Sequence, residues 1–311
     1  MSRRAAIDVG TNSVRLLVAE LPARDSAAAD PPGDRPPLRP VLRRLAITRL
    51  GDGLDADGLI QEDAAARTAA AVQEFAAAAE DAGATPTVFA TYAVRAARNP
   101  AVLLERLALP VRVLSGEDEA RLGFLGAVAG LRRGTGDERS LVLDIGGGSV
   151  ELTRGTSQRI EETHSVPLGC VVLTQRFLAH DPPQDREVAA LRAYVAQTLG
   201  PLLGRFRREP DATIGVGGTI TTIAAITQGL MPYDPDRVHG YRLELTQVAG
   251  ALDVLRARPL QARRMLPGLQ PERADVIIAG GLVLHDVLEG LGGRSIEVSE
   301  ADLLWAVLMD R

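Results

Sequence analysis

The stretch Leu141-Val-Leu-Asp-Ile-Gly-Gly-Gly-Ser-Val-Glu151 decides the fold. An apolar run enters Asp144, three glycines follow, and Ser149-Val150-Glu151-Leu152-Thr153 alternates at strand period. The pattern reads as strand, tight glycine turn, strand. A turn built from Gly146, Gly147 and Gly148 has no side chains to block it. Its N–H groups can converge on an anion, and Ser149 adds a hydroxyl.

Glycine runs also make ordinary hairpins, so the second copy of this one carries the argument. At the N-terminus, Ile7-Asp8-Val9-Gly10-Thr11-Asn12-Ser13-Val14-Arg15-Leu16 aligns without a gap against Leu143 to Leu152. Asp, the first Gly, Ser, Val and Leu recur at a constant offset of 136 residues, from Asp8 to Asp144 and from Ser13 to Ser149. That offset is about the size of one domain, so the chain reads as two related domains, each opening on a phosphate hairpin.

The paired hairpins resemble those of the actin, Hsp70 and sugar-kinase superfamily. Within it, Ala6 to Leu17, Ser115-Gly-Glu-Asp-Glu-Ala120 and Asp144-Ile-Gly-Gly-Gly-Ser149 together resemble the exopolyphosphatase and guanosine-pentaphosphatase (Ppx/GppA) family, in order through nearly the whole chain. The resemblance implies an α/β fold of two ribonuclease-H-like (actin-like ATPase) domains with an active-site cleft between them. Domain I would hold residues 1–122 with a C-terminal helix at 300–311, and domain II residues 123–299.

The same resemblance implies a site. Gly10, Thr11, Asn12, Ser13 and Arg15 would bind phosphate in the first turn, and Gly146, Gly147, Gly148 and Ser149 in the second. Thr213-Ile-Gly-Val-Gly-Gly-Thr219, a strand entering a helix across glycines, matches a third ligand loop through Gly217, Gly218 and Thr219. Arg95 matches a family arginine near substrate; an ordinary helix-surface arginine is its other reading. Asp144, with Asp8 or Glu151 assisting through water, would hold Mg2+ (or Mn2+), since hard carboxylates suit that ion. Glu119 would be the water-activating base. By spacing alone the acids of this segment also serve helix capping, with Ser115 and Asp118 fitting a capping box.

Composition narrows the classes. With 311 residues, 46% of them hydrophobic, the chain can fill two cores. Its one cysteine, Cys170, excludes an internal disulfide framework, and four scattered histidines lack metal-ligand spacing. All 35 basic residues are arginine and the net charge is −5, which argues against a nucleic-acid binder. The N-terminus meets Asp8 before any apolar leader forms, and no long apolar run follows, so no membrane association and a cytoplasmic location are expected. A homodimer is compatible with these features.

Along the chain, Pro22 to Pro40 reads as an exposed loop, Val41 to Leu50 as a strand, and Gly51 to Gly58 as a turn-rich loop lacking the terminal Glu of a calcium site. Helices are expected over Gln61–Ala82 with Gly83 at C′, from Ser115 to about Ala129, over Cys170–Ala179, and over Gln184–Arg207 with a kink at Gly200-Pro201. Gly134 and Gly136 form a loop. Val166 to Gly169, Val238 to Leu243 and Arg273 to Gly281 resemble further family segments, with His239 or Arg242 facing the cleft. Ser299 is the expected N-cap of the last helix, which contains Trp305. Val150 stands where the family has a hydroxyl residue, and Leu303 to Val307 depart from its usual arginine and glycine.

Three functions are consistent with this reading. An exopolyphosphatase would release terminal phosphate from inorganic polyphosphate; a guanosine pentaphosphate (pppGpp) phosphohydrolase would do the same chemistry on a nucleotide; a sensor of the same fold would bind without turnover. Only 3% aromatics leaves few rings to stack on guanine and favours polyphosphate.

Overall fold

The computed structural model describes residues 2–22, 38–131, 138–206 and 212–310. Most of the Pro22–Pro40 loop, the Gly134 and Gly136 loop, Arg207 and Arg311 lie outside the described residues. The chain divides into two compact units, residues 1–133 with 301–311, and residues 134–300. Leu122 lies inside the helix Gly116–Gly130, all of which belongs to the first unit.

The first unit carries strands β1 (Ser2–Val9), β2 (Ser13–Leu21), β3 (Arg39–Ile47), β4 (Pro86–Ala90) and β5 (Val111–Val113), in the order β3-β2-β1-β4-β5. β1, β2 and β3 form an antiparallel meander, and β4 and β5 add parallel to β1. The second unit carries β6 (Ser140–Ile145), β7 (Val150–Gly155), β8 (Ile160–Val166), β9 (Ala212–Val216), β10 (Arg242–Glu244) and β11 (Ser295–Val298), ordered β10-β11-β9-β6-β7-β8. Its meander β6-β7-β8 and the parallel additions β9 and β11 reproduce the first sheet, with β10 as an extra antiparallel edge.

Strand alternation sorts the first unit into two faces. Ile7, Val9, Val14 and Leu16 pack with Ala65, Ala69, Val72, Phe75 and Ala79 of the helix Glu62–Asp81. Ala6, Leu17 and Phe89 turn the other way, toward Leu122 of Gly116–Gly130 and Leu304 and Trp305 of the helix Leu303–Met309. Asp8 and Arg15 share this second face. Glu62–Asp81 ends as the glycine signal implies: Gly83, at φ 78°, and Ala84 donate back to Glu80 and Ala79.

The second unit has one large core in which the helix Ile277–Leu291 is buried along most of its length. It approaches closely at Gly280, where a Cβ would crowd Thr219 and Cys170. Cys170 is a buried free cysteine. The helix Asp185–Phe206 runs on through Gly200 and Pro201.

Two local expectations are corrected. Ser299 does not cap the last helix, which starts only at Leu303; the Ser299 N–H donates to the Gly215 carbonyl and extends β11. Asp302, in extended conformation, caps it by accepting from the Leu304 N–H at 3.0 Å. The stretch Gly51 to Gly58, expected as a turn-rich loop, contains the short helix Leu54–Asp57 and is fastened to the first hairpin.

Candidate active site

The two hairpin turns are built alike. The Gly10 N–H donates to the Ser13 carbonyl at 2.9 Å, and the Gly146 N–H to the Ser149 carbonyl at 3.0 Å. In the first unit, the Asn12 carbonyl accepts from the Thr48 and Arg49 N–H groups, and the Thr11 carbonyl from Gly51. Thr11 and Asn12 are buried, and a Cβ on Gly51 would overlap the Thr11 side chain. Sequence reasoning missed this strap; its signal was the glycine pattern Gly51-Asp-Gly53.

Arg15 opposes Asp8 across β1 and β2 and donates to its Oδ2 from Nε at 3.0 Å and Nη2 at 2.6 Å. A further guanidinium N–H donates to Asp302. Burial works against the Arg15 charge, but Asp302 and Asp8 hold its pKa above the ordinary value. Burial pushes the Asp8 carboxyl up, with Arg15 opposing. The other Asp8 oxygen, Oδ1, is buried without a hydrogen-bond partner. Asp302 was invisible to motif reading because it sits 287 residues away in sequence.

Glu119 lies in the first turn of Gly116–Gly130, yet it is not the cap. Ser115 accepts from the Asp118 N–H and donates to the Asp118 carboxylate, both at 3.0 Å. The Glu119 carboxylate instead accepts from Arg95 at 3.0 Å and hydrogen-bonds with Thr91, while Arg95 also donates to the Leu114 carbonyl at 2.7 Å. Burial pushes the Glu119 pKa up to about 7 against the pull of Arg95, and nearby Asp8 raises it further. Such a carboxyl is poised to exchange a proton near neutrality.

In the second unit, the turn's carbonyls are covered from one side. Gly146, Gly147 and Gly148 accept from the N–H groups of Cys170, Val171 and Gly169 at 3.0, 2.9 and 3.1 Å. A Cβ on Gly169 would overlap the Gly147 backbone, which explains the glycine before the helix Cys170–Phe177. Val150 is fully buried in the core.

Asp144 pairs with Glu151 across β6 and β7, the positions equivalent to Asp8 and Arg15. Glu151 is buried and accepts from the Ser165 hydroxyl at 2.6 Å. Thus one hairpin carries an acid facing a base, and the other two acids sharing a face. Gly217, at φ 91°, begins the helix Gly218–Gln228 beside Asp144, whose Oδ1 a Cβ there would overlap. The Arg273 guanidinium lies against Gly218, which sets a positive charge at this third loop. Thr219 is buried.

The site residues therefore fall into two groups. Asp8, Gly10, Thr11, Asn12, Ser13, Arg15, Arg95 and Glu119 belong to the first unit, and Asp144, Gly146–Gly148, Ser149, Glu151, Gly217, Gly218 and Thr219 to the second. His239 does not stand alone: its Nδ1 accepts from the Glu300 N–H at 3.2 Å. Arg242 is exposed and paired with Glu244.

Comparison with known proteins bears on the family and the fold. The model of the Ppx/GppA phosphatase family matches residues 29–310. Exopolyphosphatase 2 of Mycobacterium tuberculosis (strain ATCC 25618 / H37Rv) is 34% identical over 319 residues, covering 98% of this chain and 97% of that protein. The crystal structure of the Aquifex aeolicus Ppx/GppA family member superposes with a TM-score of 0.78 at 31% identity, covering 99% of this chain and 96% of that one. An exopolyphosphatase structure from Cytophaga hutchinsonii ATCC 33406 gives 0.85 at 26% identity, with coverage of 99% and 96%. The α/β fold with two sheets matches these structures, and the chain belongs to the Ppx/GppA phosphatase family.

Proposed function

We propose that this protein is an exopolyphosphatase, hydrolysing the terminal phosphoanhydride of inorganic polyphosphate in the cytoplasm. The observation that carries the reading is the state of Glu119: excluded from the helix cap, mostly buried, and with a pKa of about 7. Glu119 takes a proton from water as the water oxygen bonds to the terminal phosphorus. The bond from that phosphorus to the bridging oxygen breaks, the chain leaves one phosphate shorter, and orthophosphate is released. Arg95 holds the Glu119 carboxylate in place through the reaction and sets its basicity. The glycine turns hold the phosphate oxygens through backbone N–H groups.

A divalent cation fits the second hairpin better than the first. Asp144 and Glu151 place two carboxylates on one face of β6 and β7, an arrangement that a shared cation relieves. The equivalent Asp8 already carries a cation, Arg15, on Oδ2. Mg2+ held by Asp144 and Glu151 would supply charge neutralisation on the phosphate oxygens. Asp8 then serves the first turn and the electrostatics of Glu119.

Guanosine pentaphosphate presents the same terminal phosphoanhydride. Orthophosphate release is therefore measured side by side from long-chain polyphosphate, guanosine pentaphosphate and ATP, with and without Mg2+. Mg2+-dependent release from polyphosphate in preference to the other two is expected. Preference for the nucleotide would move the assignment to a guanosine pentaphosphate phosphohydrolase, and no release from any of them would leave a binding sensor.

A further inference from the structure

Two buried donors without partners belong to residues whose backbones are joined at the first turn. Asn12 is 6% exposed and its Nδ2 has no hydrogen-bond partner; Thr48 is 4% exposed and its Oγ1 has none. Asn12 lies in the turn before β2 and Thr48 directly follows β3, and the Thr48 N–H donates to the Asn12 carbonyl at 3.1 Å, so the two residues are neighbours where β3 meets the first turn. Native proteins pair almost all buried polar groups, and an orphan costs its full desolvation penalty. Valine has nearly the shape of threonine without the hydroxyl, so packing alone does not account for a threonine here.

The backbone that delivers Thr48 is itself held at a cost. The next residue, Arg49, has φ 56°, the one non-glycine residue with positive φ among the described residues, and its N–H also goes to the Asn12 carbonyl, at 3.0 Å. Arg67 Nε adds a bond to the Thr48 carbonyl at 3.3 Å. Strain maintained by surrounding bonds, beside unsatisfied buried donors, marks a corner shaped for a ligand. The third orphan at this hairpin, Asp8 Oδ1, is an acceptor and cannot satisfy an anion. The Asn12 amide and the Thr48 hydroxyl can.

We propose that the Thr48 hydroxyl, with the Asn12 amide, donates to a substrate phosphate oxygen, so that the corner after β3 is part of the phosphate site. This rests on reading the first turn as a holder of the phosphate chain. Thr48 is a binding residue in this scheme and leaves proton transfer to Glu119.

The test uses the full chain and tripolyphosphate as probe, with Thr48→Val and Thr48→Ser compared to wild type by calorimetry and by the melting temperature of the unliganded protein. A hydroxyl donating to a charged oxygen is worth a loss of about ten-fold or more in affinity on removal. Thr48→Val is expected to show that loss while melting no lower than wild type, because it discards an orphan. Thr48→Ser should bind within about threefold of wild type on the same ground. Wild-type affinity in Thr48→Val, or a lowered melting temperature with affinity unchanged, would overturn the proposal. The hydrolase reading is separable: wild type that binds tripolyphosphate through Thr48 yet releases no orthophosphate refutes hydrolysis and keeps the Thr48 contact. Release from polyphosphate with Thr48→Val indistinguishable from wild type does the reverse.

Discussion

Arg95 donates to the Glu119 carboxylate at 3.0 Å, joining the short helix Tyr92–Ala96 to the first turn of Gly116–Gly130. The arginine stabilises the charged carboxylate, and burial opposes it; burial wins, leaving the pKa at about 7. Removing Arg95 takes away the positive charge that opposes burial. Arg95→Ala is therefore expected to shift the alkaline rise of kcat to higher pH and to lower turnover at pH 7. A pH profile of kcat checks this; an unmoved or acid-shifted profile contradicts the pairing as the control on Glu119.

The raised pKa also has a stability consequence. Glu119 has an ordinary value of 4.5 and a folded value of about 7, so between those limits the native state binds more protons than the unfolded chain. Stability falls as pH rises through that window, by roughly 3 kcal/mol at most. Glu119→Gln removes the charged form and should raise the melting temperature at pH 8 while changing it little below pH 4.5. Asp118→Asn touches the cap instead and should cost at most about 1–2 kcal/mol at neutral pH. Melting curves of both variants at two pH values separate the roles; a Glu119→Gln protein that melts early at pH 8 would make this residue a structural anchor.

Asp144 and Glu151 share a face where Asp8 and Arg15 make an ion pair in the other unit. If the acid pair holds Mg2+, Glu151→Gln should raise the Mg2+ concentration for half-maximal activity by about ten-fold or more. Saturating Mg2+ should restore much of the rate. A titration of activity against Mg2+ decides it, and an unchanged midpoint would remove Glu151 from the metal assignment.

The hairpins were legible because their chemistry is local: Asp8 to Ser13 and Asp144 to Ser149 carry the glycine and alternation signals within ten residues. The repeated sheet order follows from that repeat. Element edges shifted by a residue or two, as for Glu62–Asp81 and Cys170–Phe177, where frayed turns carry little sequence signal. What stayed hidden is long-range. Ser299 looked like a cap by residue type, yet the chain continues along β9 there and the helix starts only at Leu303, where Asp302 caps it while also reaching Arg15. Arg15 itself reads as a phosphate ligand from the motif, and only the fold shows it held by two carboxylates. The strap from Thr48 to Gly51 has no periodicity to betray it.

Glu119 is proposed to remove the proton from the attacking water. The most direct measurement is the single-site kcat of Glu119→Gln on polyphosphate at saturating Mg2+, with KM determined alongside. Loss of a general base costs roughly 10²–10⁴-fold in rate, and a fall of that size in kcat with KM little changed is the expected result. Turnover within a few-fold of wild type would contradict the account and leave the proton acceptor elsewhere.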